Sequence, residues 1–165
     1  MDNPVVIRLA EVAETLGIAT LRFNFRGVGA STGQHGGGEA EVDDVMAARA
    51  AMAERLPGDA AIGLAGYSFG AAVAARVAGR FRSPCPGAGR APSGMYALDF
   101  LVRAPDPTLL VAGTKDQYCP EDALRRLGDR LTAEVDIIEG AEHFFFGKLF
   151  PLGQAVERWL RRWAV

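Results

Sequence analysis

The apolar positions of this chain change their spacing several times, and each change marks an element. Val5, Leu9, Val12 and Leu16 recur at intervals of three and four residues, which places side chains on one face of a helix. Asn3 can cap that helix, Pro4 suits its first position, and Gly17 suits its end. The chain is therefore predicted to open with a helix. Residues 18–25, IATLRFNF, have strand composition and run into a glycine-rich loop, RGVGASTGQHGGG. Glu39, Glu41, Asp43 and Asp44 then lead into a second predicted helix, which ends near Leu56 before Pro57 and Gly58.

A short uncharged run, Ala60 to Ala65, is of strand length, and the alanine-rich stretch Phe69 to Arg80 is long enough for three helical turns. Ser68 falls on the turn between them. From Ser83 to Ala91 the sequence SPCPGAGRA is dominated by breakers, so the strand expected next is poorly written. The alternation resumes with TLLVAG at 108–113, a helix from about Glu121 to Arg130, a strand at 134–139, and a last helix from about Leu152. That helix is predicted to turn Val156, Trp159, Leu160 and Trp163 inward, with Arg158, Arg161 and Arg162 near its C-terminus, where they suit the helix dipole. Strands alternating with helices predict an α/β fold: a mostly parallel sheet with helices on both faces, a three-layer α/β/α sandwich.

Composition narrows the picture. With 165 residues, 49% hydrophobic and 23% charged, the chain suits one globular domain, 1–165, able to bury roughly 70% of its unfolded surface. A net charge of −2 offers no electrostatic footprint for nucleic acid or an anionic membrane. The N-terminus lacks a basic segment followed by an apolar region, so a cytoplasmic protein is expected. Cys85 and Cys119, the only cysteines, have no metal-ligand spacing, and neither a metal nor a cofactor is expected.

The chemistry begins at Gly66-Tyr67-Ser68-Phe69-Gly70. A chain that turns sharply from strand to helix strains the central residue and requires tiny neighbours, and G-x-S-x-G in this setting is a nucleophile elbow. A serine hydroxyl needs a base to take its proton and a third group to orient that base. Of the two histidines, His143 follows the strand EVDIIEG and so lies at the same sheet edge as Ser68, the edge where parallel sheets gather their reactive groups. His35, in the glycine-rich loop, is expected to play no part. Asp116 lies three residues past the strand at 108–113 and is preferred as the orienting acid. Asp99 has no clear strand before it, and Asp106 precedes a strand and belongs to the opposite edge. The order Ser68, Asp116, His143 matches one of the known triad orders.

LRFNFRGVGASTG, GYSFG, GTKDQYCP and EGAEHFFFG, taken together, resemble the small bacterial α/β-hydrolases related to dienelactone hydrolases and serine aminopeptidase-like esterases. The resemblance runs from Met1 to about Gly147. It implies Ser68 as nucleophile, His143 as general base, Asp116 as its acid, and the backbone N–H of Phe69 as one oxyanion donor. The implied substrate is a small ester or related acyl compound, cleaved through an acyl-enzyme; a peptidase would use the same residues. In the family, strands and a histidine-proline loop carrying the second oxyanion donor precede a segment like Met1-Asp2-Asn3. One of those strands lies between the RFNF and AGYS strands, so an N-terminally incomplete fold, a fragment or misplaced start, is expected. Uncovered sheet edges would favour a homo-oligomer. The alternative is a non-catalytic remnant serving as a binding or assembly module. Arg26 and Asp44 are expected to pair, and Phe144 to Phe146 to form core and pocket wall.

Overall fold

The computed structural model describes residues 2–58, 60–80 and 107–163. Cys85, Asp99, Asp106 and the weakly written strand after Ser83 lie outside the described residues. Helix α1, Pro4–Thr15, starts as its sequence requires. Asn3 Oδ1 accepts from the N–H groups of Val5 at 2.9 Å and Val6 at 3.3 Å, donors that have no partner within the helix itself. The remaining elements are α2 (Glu41–Ala53), α3 (Phe69–Arg80), β1 (Leu109–Gly113), α4 (Glu121–Leu131), β2 (Glu134–Ile138) and α5 (Leu149–Trp163). Helix α5 begins before the expected Leu152 because Pro151 falls in its first turn, where a missing N–H breaks no helical bond.

Strands β1 and β2 pair in parallel, Leu109 opposite Glu134 through Gly113 opposite Ile138, and α4 makes the crossover. Alternation sends successive side chains to opposite faces. Val111 and Ile138 join Val5 of α1 and Leu152 of α5 in one buried cluster, and Asp136 meets Arg158 of α5 at 2.7 Å. On the other face, Val135 packs so close to Gly128 of α4 that a Cβ there would overlap it. The sheet is thus a middle layer, with α1 and α5 on one side and α4 on the other. Helices α2 and α3 bury Val42, Val45, Val73 and Val77 against Phe25 and Phe69, and Ala75 carries α3 onto Leu131 of α4.

The predicted strands at 18–25 and 60–65 carry no ladder among the described residues. Their apolar pattern is that of a sheet interior, yet a strand needs a partner as well as a pattern. Leu21, Phe23 and Leu64 accordingly stand 48%, 37% and 42% exposed. In α5, Val156 packs on the core cluster and Trp159 and Leu160 are half-buried, as expected; the Trp163 side chain lies outside the described residues. Arg158, Arg161 and Arg162 each meet an acid, Asp136, Glu157 and Glu134. Among the described residues, no helix is long and apolar enough to cross a membrane.

Candidate active site

Ser68 stands at φ +53°, a left-handed conformation that side chains with a Cβ rarely adopt. Its carbonyl accepts from Ala71 and Ala72 N–H at 3.0 and 3.2 Å, so the first turn of α3 is built on the serine itself. A Cβ on Gly66 would overlap the Gly70 carbonyl and lie 2.6 Å from Ala71 N. Gly70 is different: a Cβ there would meet nothing nearer than Phe25 Cε2 at 3.9 Å. The steric demand for glycine expected on both sides of Ser68 therefore applies at Gly66 alone.

The other two candidates come from loops that the strand ends hold together. A Cβ on Gly113 would overlap the Ala141 carbonyl, which accepts from Lys115 N–H at 2.9 Å. Thr114 N–H reaches Ile138 O at 3.1 Å, and its hydroxyl accepts from Gly140 N–H at 2.9 Å. Asp116 emerges from this junction 7% exposed, with Oδ1 accepting from Tyr118 and Cys119 N–H at 2.9 and 3.0 Å. Its Oδ2 lies 2.9 Å from His143 Nδ1, and His143 Nε2 lies 3.0 Å from Ser68 Oγ. An ionised carboxylate only accepts, so Nδ1 carries the imidazole proton and Nε2 presents a lone pair to the serine.

Residues that the sequence reading did not single out complete the base loop. Glu142 accepts from the N–H groups of Phe144 and Phe146 at 3.0 and 2.9 Å, and the Tyr67 hydroxyl donates to His143 O at 3.1 Å. Burial, reinforced by the negative charges of Glu142 and Asp116, raises the Tyr67 pKa, so the phenol keeps its proton. Burial and Asp116 likewise push the Cys119 thiol up, which favours the inert thiol form. Phe145 inserts into the core at φ +54° and 4% exposure. Its neighbours are thereby turned outward: Phe144 is 50% exposed and Phe146 75%. Of the three phenylalanines expected to form core and pocket wall, Phe145 lies in the core and Phe144 and Phe146 at the surface. Tyr67, between Gly66 and Ser68, and Gly113, a glycine ending a strand, carried the available sequence signals.

The glycine-rich loop is tied to α2. Asp44 binds Arg26 through Nη2 at 2.8 Å and through its backbone N–H at 2.9 Å, the expected pair. Glu41, fully buried, accepts from Gly36 and Gly38 N–H, both at 2.7 Å, and from His35 Nδ1 at 2.9 Å. The His35 ring rests 5.0 Å from that of Phe69, which Phe25 meets edge-on from 5.5 Å. Among the described residues, no cluster of His, Cys, Asp and Glu could hold a metal.

A parallel sheet with helices on both faces, and a strained serine at a turn into a helix, define the α/β-hydrolase class. An α/β serine hydrolase homologue from Coxiella burnetii superimposes with a TM-score of 0.81 at 32% identity, over 97% of this chain and 77% of its own. A lid-less α/β serine hydrolase of Xanthomonas campestris gives 0.79 at 31% identity, over 99% and 75%. An uncharacterized protein of Rickettsia prowazekii is 30% identical over 97% of this chain and 72% of its own length. No family model matches. The chain belongs to the α/β serine hydrolase family.

Proposed function

We propose that this protein hydrolyses a small carboxylic ester or related acyl substrate through an acyl-enzyme on Ser68. The observation that carries the reading is the continuous hydrogen-bonded line from Ser68 Oγ through His143 to Asp116, at 3.0 and 2.9 Å. Nε2 takes the hydroxyl proton as Oγ attacks the carbonyl carbon, and Asp116 stabilises the imidazolium that results. The tetrahedral intermediate places negative charge on the former carbonyl oxygen. The N–H of Phe69, at the N-terminus of α3, stands next to the nucleophile as an oxyanion donor, at the helix end whose dipole favours an anion. The imidazolium then protonates the leaving alcohol, and a water deprotonated by the same nitrogen releases the acid. Each step uses protein groups and water alone.

Fluorophosphonate labelling tests the nucleophile directly. The protein is expected to be labelled and to hydrolyse p-nitrophenyl acetate, with labelling abolished by Ser68→Ala and turnover lowered about 10⁴-fold or more. Assaying p-nitroanilides beside the esters separates a peptidase from an esterase. A folded protein that neither labels nor turns over either substrate overturns the enzyme reading and favours a binding module that retains these side chains.

A further inference from the structure

Large apolar side chains at the surface need a reason when they gather around a reactive group. Tyr118 meets the His143 ring edge-on with centroids 4.8 Å apart, and Phe144 meets it edge-on at 5.4 Å. Phe146 continues the row 5.8 Å beyond Phe144. These rings are 41%, 50% and 75% exposed. The arrangement is fixed by its supports: Asp116 holds the Tyr118 backbone, Glu142 holds those of Phe144 and Phe146, and buried Phe145 turns its two neighbours outward.

The proton path says which part of a substrate meets this row. Oγ bonds to the acyl carbon, whereas the departing oxygen must receive its proton from Nε2 of His143. The alcohol half of an ester therefore leaves toward the imidazole, the ring that Tyr118 and Phe144 contact edge-on. We propose that Tyr118, Phe144 and Phe146 form an alcohol-binding rim that selects esters of bulky apolar or aromatic alcohols. This rests on the reading of Ser68 and His143 as nucleophile and base.

The test compares ethyl acetate with 2-phenylethyl acetate, which share an acyl group and have alcohols of similar acidity. The protein is expected to prefer the phenylethyl ester in kcat/KM, and Phe144→Ala is expected to shrink that preference about 5- to 20-fold. Phe144→Leu, which keeps an apolar surface, recovers part of it. The loss falls on kcat/KM, which reports acylation, and a purely structural effect would not divide between two esters of one acid. Equal loss on both esters in a protein that still labels with fluorophosphonate overturns the rim and leaves the hydrolase reading intact; absence of labelling overturns both. A shift in sedimentation of the Phe144→Ala, Phe146→Ala double variant with the preference unchanged would assign the row to self-association and overturn the proposal.

Discussion

A serine held in the left-handed region costs about 1–3 kcal/mol of backbone strain, which persists only where the surroundings over-determine it. At Ser68 the surroundings include the main chain of Gly70 and Ala71, which lies against Gly66. Gly66→Ala forces a methyl into the Gly70 carbonyl, so the elbow must open; esterase activity is expected to fall at least 100-fold, with a drop in Tm. Gly70→Ala meets only Phe25 at van der Waals distance, and is expected to change Tm by no more than a few degrees and to keep most activity. Measuring both in parallel by thermal melts and p-nitrophenyl acetate turnover decides it, since equal effects would contradict the close approach at Gly66. The motif G-x-S-x-G made Ser68 legible from sequence because strain and close packing leave few residue choices. It could not separate its two glycines, since only the path of the chain tells which of them lies against backbone. Phe145 shows the same limit. A run of three phenylalanines reads as apolar whichever member turns inward.

Helices were legible from the period of apolar positions in α1 and α5, and from composition and end signals in α2 and α3. Asn3 and Pro4 marked the start of α1, and the alanine-rich run marked α3 to its ends. Strands β1 and β2 were legible as well, with boundaries shifted by a residue or so. The stretches 18–25 and 60–65 show why strand patterns say less: a ladder joins two segments, and the pattern of one names no partner. Between elements, the junction of β1 and β2 left in the sequence only the signal of a glycine ending a strand, although it governs the site. Gly113 lets the chain carrying Asp116 lie against Ala141, two residues before His143. Gly113→Ala would push these loops apart. Overpacking of this kind costs about 1–3 kcal/mol, and the acid would be displaced from Nδ1. Activity is expected to fall by about 10²-fold or more, while Gly147→Ala, where a Cβ meets no atom within 4 Å, is expected to cost only the strain of its positive φ. A Gly113→Ala protein of undiminished activity would show that the junction does not position the acid.

At the scale of the molecule, the shared edge of a parallel sheet explains why side chains at 68, 116 and 143 could be expected to converge, and Ser68 and Asp116 do each lie within hydrogen-bond reach of His143. The same rule does not reach the glycine-rich loop, whose anchorage depends on a carboxylate that reads as an ordinary acidic first turn. Burial pushes the Glu41 carboxyl up, but the N–H groups of Gly36, of Glu41 itself and of Gly38, with the His35 ring, outweigh it and leave the pKa below the ordinary value. The Arg26 guanidinium holds Asp44 low against the opposing effect of burial. For a depressed carboxyl the unfolded chain binds the proton more tightly, so its contribution is complete above the ordinary carboxylate range near pH 4.3 and is lost as the pH falls through the depressed value. Both groups tie the loop after residue 25 to α2, so acid is expected to loosen this part of the molecule. Glu41→Gln keeps the shape but supplies one neutral acceptor where the carboxylate supplied charged ones. It is expected to lower Tm by about 3–10 °C at pH 7 and to flatten the fall of Tm between about pH 5 and 3. Parallel Tm curves for the two proteins across that range would show that the buried carboxylate carries none of the acid sensitivity.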